Sequence, residues 1–162
     1  MRHLTTLTRS VLRTAAFLLV IASVAQAQNG ASAINVDHDG VILKGYDAVA
    51  YQTDGQAVPG SPAISAVHEG ATYHFASAAH RDLFTANPAK YAPAYGGYCA
   101  MGVAVGKKLD GDPKAFTVHN GTLYLNVDEK VRGMWTKDVA GNNKKADKKW
   151  TEVSAHKSLD SM

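Results

Sequence analysis

Disulfides are the first thing this sequence lacks: its 162 residues include a single cysteine, Cys99. A lone thiol cannot staple its own chain, which excludes the small disulfide-framed scaffolds and leaves the cysteine itself to be explained. Charge of one sign is missing too. The 17 basic residues include Arg2, Arg9 and Arg13 near the N-terminus, and without them the basic residues fall to the number of acidic ones, 14. A near-neutral domain has no electrostatic footprint for a phosphate backbone, so nucleic acid is not expected as a partner. There is no G-x-S-x-G, no H-E-x-x-H, no phosphate loop and no pair of acids in a recognisable setting, which excludes the familiar hydrolases and leans away from an enzyme.

Long apolar runs are confined to one stretch, Ala15 to Val24, which follows the three arginines and precedes Ala25-Gln26-Ala27, small at both positions a signal peptidase reads. The run is too short to span a bilayer. This pattern predicts a cleaved signal over residues 1–27, with Ala31-Ser32-Ala33 as a second small-residue site, and hence a periplasmic protein with no membrane anchor. Residues 28–40 read as a flexible lead-in, 41–150 as one domain and 151–162 as a loose tail. No repeat with a period of roughly 20 to 50 residues is evident.

What the chain does have is turn chemistry. Glu69-Gly70 divides two short β-prone runs, so Ile64 to Phe75 reads as a hairpin. Asn120-Gly121 splits "AFTVHNGTLYLN" into the two strands of a second hairpin. Ser77 is placed to cap a helix over Ala78 to Ala86 that must end before Pro88, with His80, Leu83 and Phe84 on its inward face. Asn126 or Asp128 can cap the next helix, whose Val131, Met134 and Trp135 form an apolar stripe. A last short helix, Asn143 to Trp150, presents lysines to solvent and anchors through Trp150. Hairpins and helices in this order, with no βαβ crossover, predict an α+β fold: a small single domain with β-hairpins packed against short helices.

"GYDAVAY", "GATYHFASAAHRDLFTANPAKYAPAYGGYCA" and "LYLNVDEKVRGMWTKD" together resemble the exported YHS domain family, the YHS domain-containing (seleno)proteins, over about Lys44 to Trp150. The resemblance implies chalcogen chemistry at Cys99, where members of that family can carry selenocysteine. Wider YHS domains carry a cysteine pair inferred to bind metal. On this sequence their places fall at Ala76, which cannot ligate, and His80, which can. Ala48 stands where relatives often have proline.

Cys99 lies in a loop with Gly96, Gly97 and Gly102, where backbone can approach a ligand closely. Three readings stay open: a buried small hydrophobe, a redox thiol served by a periplasmic partner protein, and a ligand to a soft metal ion. Cys99 and Met101 are soft donors that, with His80 or His74, would suit copper as Cu(I). The spacing is not that of a blue-copper loop. Strand alternation sends His74 to the face opposite Tyr73 and Phe75. Tyr95, Tyr98 and Gly97 are candidates to wall a pocket around the thiol. His38, His68, His119 and His156 are expected in solvent.

Overall fold

The computed structural model describes residues 32–156, and both hairpins form where their turn residues place them. β1 (Ser61–His68) pairs antiparallel with β2 (Ala71–Phe75), and β3 (Asp112–His119) with β4 (Thr122–Asn126). At both turns the two central residues take positive φ, 50° and 81° at Glu69-Gly70 and 49° and 74° at Asn120-Gly121. That is the backbone twist a two-residue hairpin needs. Six α-helices accompany the strands among the described residues: α1 (Ala50–Thr53), α2 (Ala78–Ala86), α3 (Pro88–Tyr91), α4 (Ala100–Ala104), α5 (Glu129–Thr136) and α6 (Val139–Ser154). The result is the expected α+β architecture, two separate two-stranded sheets with helices packed on them.

The described residues contain two units of the same element order, where no repeat was expected from the sequence. A unit of about 50 residues runs loop, short helix, hairpin, helix, and then runs again. Gly45-Tyr46-Asp47-Ala48 opens the first unit and Gly97-Tyr98-Cys99-Ala100 the second. Up to and including the first glycine of each opening the backbone makes three left-handed residues: Leu43, Lys44 and Gly45 at φ 57°, 51° and 80°, then Tyr95, Gly96 and Gly97 at 53°, 61° and 85°. The Asp47 N–H donates to Val58 O at 2.9 Å, and the Cys99 N–H to Leu109 O at 2.9 Å. Both strand pairs slip register at the same place, between Ser61 and Ser65 and between Asp112 and Phe116. Gly60 and Gly111 precede those strands for one reason. A Cβ on Gly60 would lie 2.5 Å from the His74 carbonyl carbon, and one on Gly111 would lie 2.6 Å from Gly97 O. Side-chain identities between the units are few, and the surviving pattern is carried by turn and cap residues, so a search for apolar periodicity passes over it.

Each unit buries an aromatic pair. Phe84 of α2 stacks on Tyr73 at 4.4 Å, and Trp135 of α5 on Tyr124 at 5.1 Å. The first core gathers Ile42, Val49, Tyr51 and Phe75 around Phe84, and the second Val103, Ala146 and Val153 around Trp135. Leu123 and Leu125 of β4 pack into the first core, so the second hairpin seals the first unit.

Several expectations are corrected. Leu83 is 45 % exposed and Met134 42 %, leaving Phe84 and Trp135 as the buried residues of their helices. A helix of one or two inward turns buries a single large ring, and the residue before it falls at the rim. Asp128, not Asn126, caps α5, accepting from the Val131 N–H at 2.7 Å. The last helix is twice the expected length and anchors through Ala146 and Val153, with Trp150 only partly buried. From Ser32 onward the lead-in is held rather than loose: the Asn35 N–H donates to Gly96 O at 2.8 Å, and Tyr98 Oη donates to Ser32 O at 3.0 Å. The start of the expected tail is held too, since residues 151–154 are helical and Val153 is buried. The expected signal over residues 1–27 lies outside the described residues.

Candidate functional site

Asp47 is fully buried at the start of the first unit, and its carboxylate is a hub. Oδ1 accepts from the backbone N–H of Val49 at 2.8 Å and of Ala50 at 3.3 Å, and Oδ2 accepts from the Ala76 N–H at 2.8 Å. These bonds join α1 to the loop that follows β2. A buried carboxylate is costly unless its lone pairs are filled, and here the backbone fills them. The last partner is His80 of α2, whose Nδ1 lies 2.7 Å from Asp47 Oδ2. Ser77 caps α2, and that sets His80 in its first turn facing the carboxylate. The other ring nitrogen, Nε2, looks toward Asp54 Oδ1 at 4.0 Å, and Asp54 is 44 % exposed. Asp47, His80 and Asp54 therefore form a line from the interior to the surface.

Cys99 occupies the same hub of the second unit. It is fully buried, its Sγ accepts from the Gly102 N–H at 3.3 Å, and the N–H groups of Met101 and Val127 also act on it. Met101, Gly102 and Val127 are the counterparts of Val49, Ala50 and Ala76, so the same three backbone positions border both hubs. The partners differ. Val131 takes the place of His80, and Asn126 stands where Phe75 stands in the first unit. Asn126 is fully buried, with Oδ1 3.9 Å from the Cys99 sulfur, which donates to it, and 3.4 Å from the Met101 N, which donates as well. Its Nδ2 has no hydrogen-bond partner among the described residues. Burial pushes the Cys99 thiol above its ordinary value, while the N–H groups of Gly102, Val127 and Met101 pull it down and the charge of Asp128 adds to the rise. The rise wins, so the resting sulfur is a neutral thiol.

The ligand set expected from the sequence is not assembled. Among the described residues the one group of three or more His, Cys, Asp or Glu side chains with ligand atoms within 4.8 Å of one another is Asp37, His38 and Asp39, which is exposed. Asp37 Oδ1 in that group is already taken by the N–H groups of Asp39 and Val41, both at 2.9 Å. Cys99, His74 and His80 thus do not form such a cluster. His80 belongs to Asp47, and His74 lies against Gly45, where an added Cβ would meet its Nδ1 at 3.3 Å. Met101 is a partly buried side chain packed on the second core.

The tyrosine hydroxyls turn away from the thiol. Tyr95 Oη donates to Asn143 Oδ1 and lies 2.9 Å from Asp147 Oδ1, tying its loop to α6. Tyr98 reaches the Ser32 carbonyl. Gly97 does line a cavity, a small one of about 90 Å³ shared with Asn35, Lys44 and Asp110. His68, expected in solvent, stacks edge-on against Phe84 with ring centroids 5.9 Å apart.

Sequence reasoning passed over Asp47, Asp54 and Asn126. The signal for Asp47 was present in the repeated Gly-Tyr-x-Ala, which puts an aspartate in one unit where the other has the cysteine. Asn126 carried no such signal, because its burial depends on how β4 meets the Cys99 loop through the Cys99 to Leu125 bridge. No family model, curated protein or solved structure matches this chain.

Proposed function

We propose that the chain is an exported, non-hydrolytic domain of the YHS type that binds a borderline divalent ion, copper(II) or zinc, at His80 with Asp54 as second ligand. The observation that carries this reading is the Asp47–His80 contact of 2.7 Å. A carboxylate on one imidazole nitrogen fixes the orientation of the ring and leaves the other nitrogen facing outward, which is how outer partners hold metal-ligating histidines. Two ligand atoms of a tetrahedral ion with bonds of about 2 Å lie roughly 3.3 Å apart, so from the present 4.0 Å between Nε2 and Asp54 Oδ1 a small inward movement of Asp54 completes the pair. Asp54 sits at the C-terminal end of α1 and is exposed enough to swing inward. Imidazole with carboxylate suits copper(II) or zinc, whereas the Cu(I) expected from Cys99 and Met101 would need a sulfur that is closed to solvent.

Burial also bears on the redox alternative. A mixed disulfide with a periplasmic partner requires that the partner's thiol reach the sulfur, and Cys99 has no exposure. Export rests on the leader pattern alone, and no described helix is long and apolar enough to cross a membrane.

Titration of the purified protein with Zn²⁺ and Cu²⁺ against a competing chelator tests the reading. One site per chain is expected, lost in His80→Ala, weakened in Asp54→Asn and kept in Cys99→Ser. Loss in Cys99→Ser with retention in His80→Ala would return the site to the thiol. Absence of any binding would leave a plain interaction domain.

A further inference from the structure

We infer that Cys99 is an oxidation site whose product, a sulfinate, is held in a pocket with the donor arrangement of a carboxylate site. The first unit shows what this backbone arrangement holds when occupied by an anion. Val49, Ala50 and Ala76 present three N–H groups to the two oxygens of Asp47. The second unit sets the matching residues Met101, Gly102 and Val127 around one sulfur: the Gly102 N–H donates to it at 3.3 Å, and the Met101 N–H is spent on Asn126 Oδ1 at 3.4 Å. A sulfinate has two oxygens, one negative charge and a short branch from Cβ, as an aspartate has. A thiol leaves such a nest underused, because sulfur is a weak acceptor and takes one clear N–H donor, that of Gly102.

Asn126 is the independent sign. It is fully buried, its amide meets the sulfur through Oδ1, and its Nδ2 donor has no partner among the described residues. An unsatisfied buried donor is expensive, and hydrogen-bonding groups left so are uncommon. With the thiol present, Oδ1 serves as acceptor for S–H and for the Met101 N–H. With a sulfinate present, rotation of the amide turns Nδ2 toward the new oxygens and frees the Met101 N–H to donate to them as well. The donor that is idle in one state is used in the other.

The oxidant is a hydroperoxide, with hydrogen peroxide the simplest. In the first step sulfur attacks one peroxide oxygen, an S–O bond forms as the O–O bond breaks, and a sulfenic acid and water result. A second peroxide repeats the exchange at the sulfenate. In sum, one thiol and two peroxides give one sulfinate, one proton released to solvent and two waters, sulfur losing four electrons and each peroxide gaining two. The sealed position closes the sulfur to a protein thiol, but a small peroxide needs only local opening of the Cys99 loop. This inference is independent of the metal site at His80.

Peroxide treatment of the purified protein, followed by proteolysis and mass spectrometry, reads the outcome. The expected product is the Cys99 peptide carrying two added oxygens, resistant to thiol reductants, in a protein that melts no lower than the untreated one. An unmodified Cys99 beside oxidised methionines, progression to three oxygens, or a lowered melting temperature would overturn the inference. Asn126→Ala is expected to lose the arrest at two oxygens. A carboxylate supplied genetically gives a second readout. Cys99→Asp is expected to melt at or above Cys99→Ser, and a Cys99→Asp protein that is less stable than Cys99→Ser, or fails to fold when the serine variant folds, would count against the nest.

Discussion

Lys108 buries its ammonium at 1 % exposure and donates to the carbonyls of Ser32, Ser154 at 2.9 Å and His156 at 2.8 Å, with the Tyr98 ring 4.7 Å away. One side chain thereby fastens the first and last described segments to the second core. Burial pulls its pKa below the ordinary lysine value, so the cation is held at a cost that the carbonyls offset. Lys108→Met should cost about 1–3 kcal/mol, the penalty of leaving buried acceptors unpaired. Chemical denaturation would measure it, and hydrogen exchange should show earlier opening at residues 153–156. Phe84 is a test of a different kind. Its ring touches Tyr73, Phe75 and His68, and Phe84→Ala should cost about 3–5 kcal/mol through lost burial and the cavity left behind. Unchanged thermal stability in that variant would show that the ring is not core.

Among the elements, the helices depend on their caps because none except α6 is long enough to be stable by itself. Ser77, Asp128 and Asp138 each accept an N–H of the first turn that follows, those of His80, Val131 and Gly141. Asp128→Ala should cost about 0.5–2 kcal/mol, seen as a lowered melting temperature. The same substitution removes a charge that raises the Cys99 pKa, so alkylation of the thiol in the folded protein should not slow. At Gly141 the cap also dictates the residue: a Cβ there would lie 2.1 Å from Asp138 Oδ2. Gly141→Ala should therefore break the cap it shares with Asp138, and the loss should match that of Asp138→Ala rather than add to it.

For the molecule as a whole, the two units should unfold together, since Leu123 and Leu125 of the second hairpin are built into the core of the first. Both tryptophans, Trp135 and Trp150, lie in the second unit. Phe84→Ala in the first unit should thus shift the tryptophan fluorescence midpoint as far as the midpoint read by circular dichroism, and two separated midpoints would show independent units. High pH should act on the whole fold too. Burial raises the phenols of Tyr51, Tyr73, Tyr95, Tyr98 and Tyr124 above the ordinary 10.0, Tyr73 to about 12. A raised folded pKa gives stability that is complete below the unfolded value and is lost as pH rises through the folded one. Lys108 works in the opposite sense as a single group, because its folded pKa is lowered. Stability should therefore be insensitive to these phenols below about pH 10 and fall steeply from there to about pH 12, which denaturant midpoints across that range would show.

Much was written locally in the chain. Asn120-Gly121 and Glu69-Gly70 fix two hairpins because turn geometry needs only neighbouring residues, and Ser77 with Pro88 bounds α2 for the same reason. These features carried the α+β class. Other features depend on pairs far apart in sequence. Asn35 reaches the Gly97 carbonyl, Lys108 reaches Ser32 and Ser154, and Asn126 meets Cys99, and no local propensity encodes such meetings. The sequence alone determined that Cys99 had no disulfide partner within the chain and that His80 lay in the first turn of a helix. Tertiary packing decided that His80 pairs with Asp47 and that Cys99 takes Asp47's place in a second copy of the same nest. Burial and the direction of backbone N–H groups are properties of the assembled chain, and they emerge only when loop, helix and hairpin close on one another.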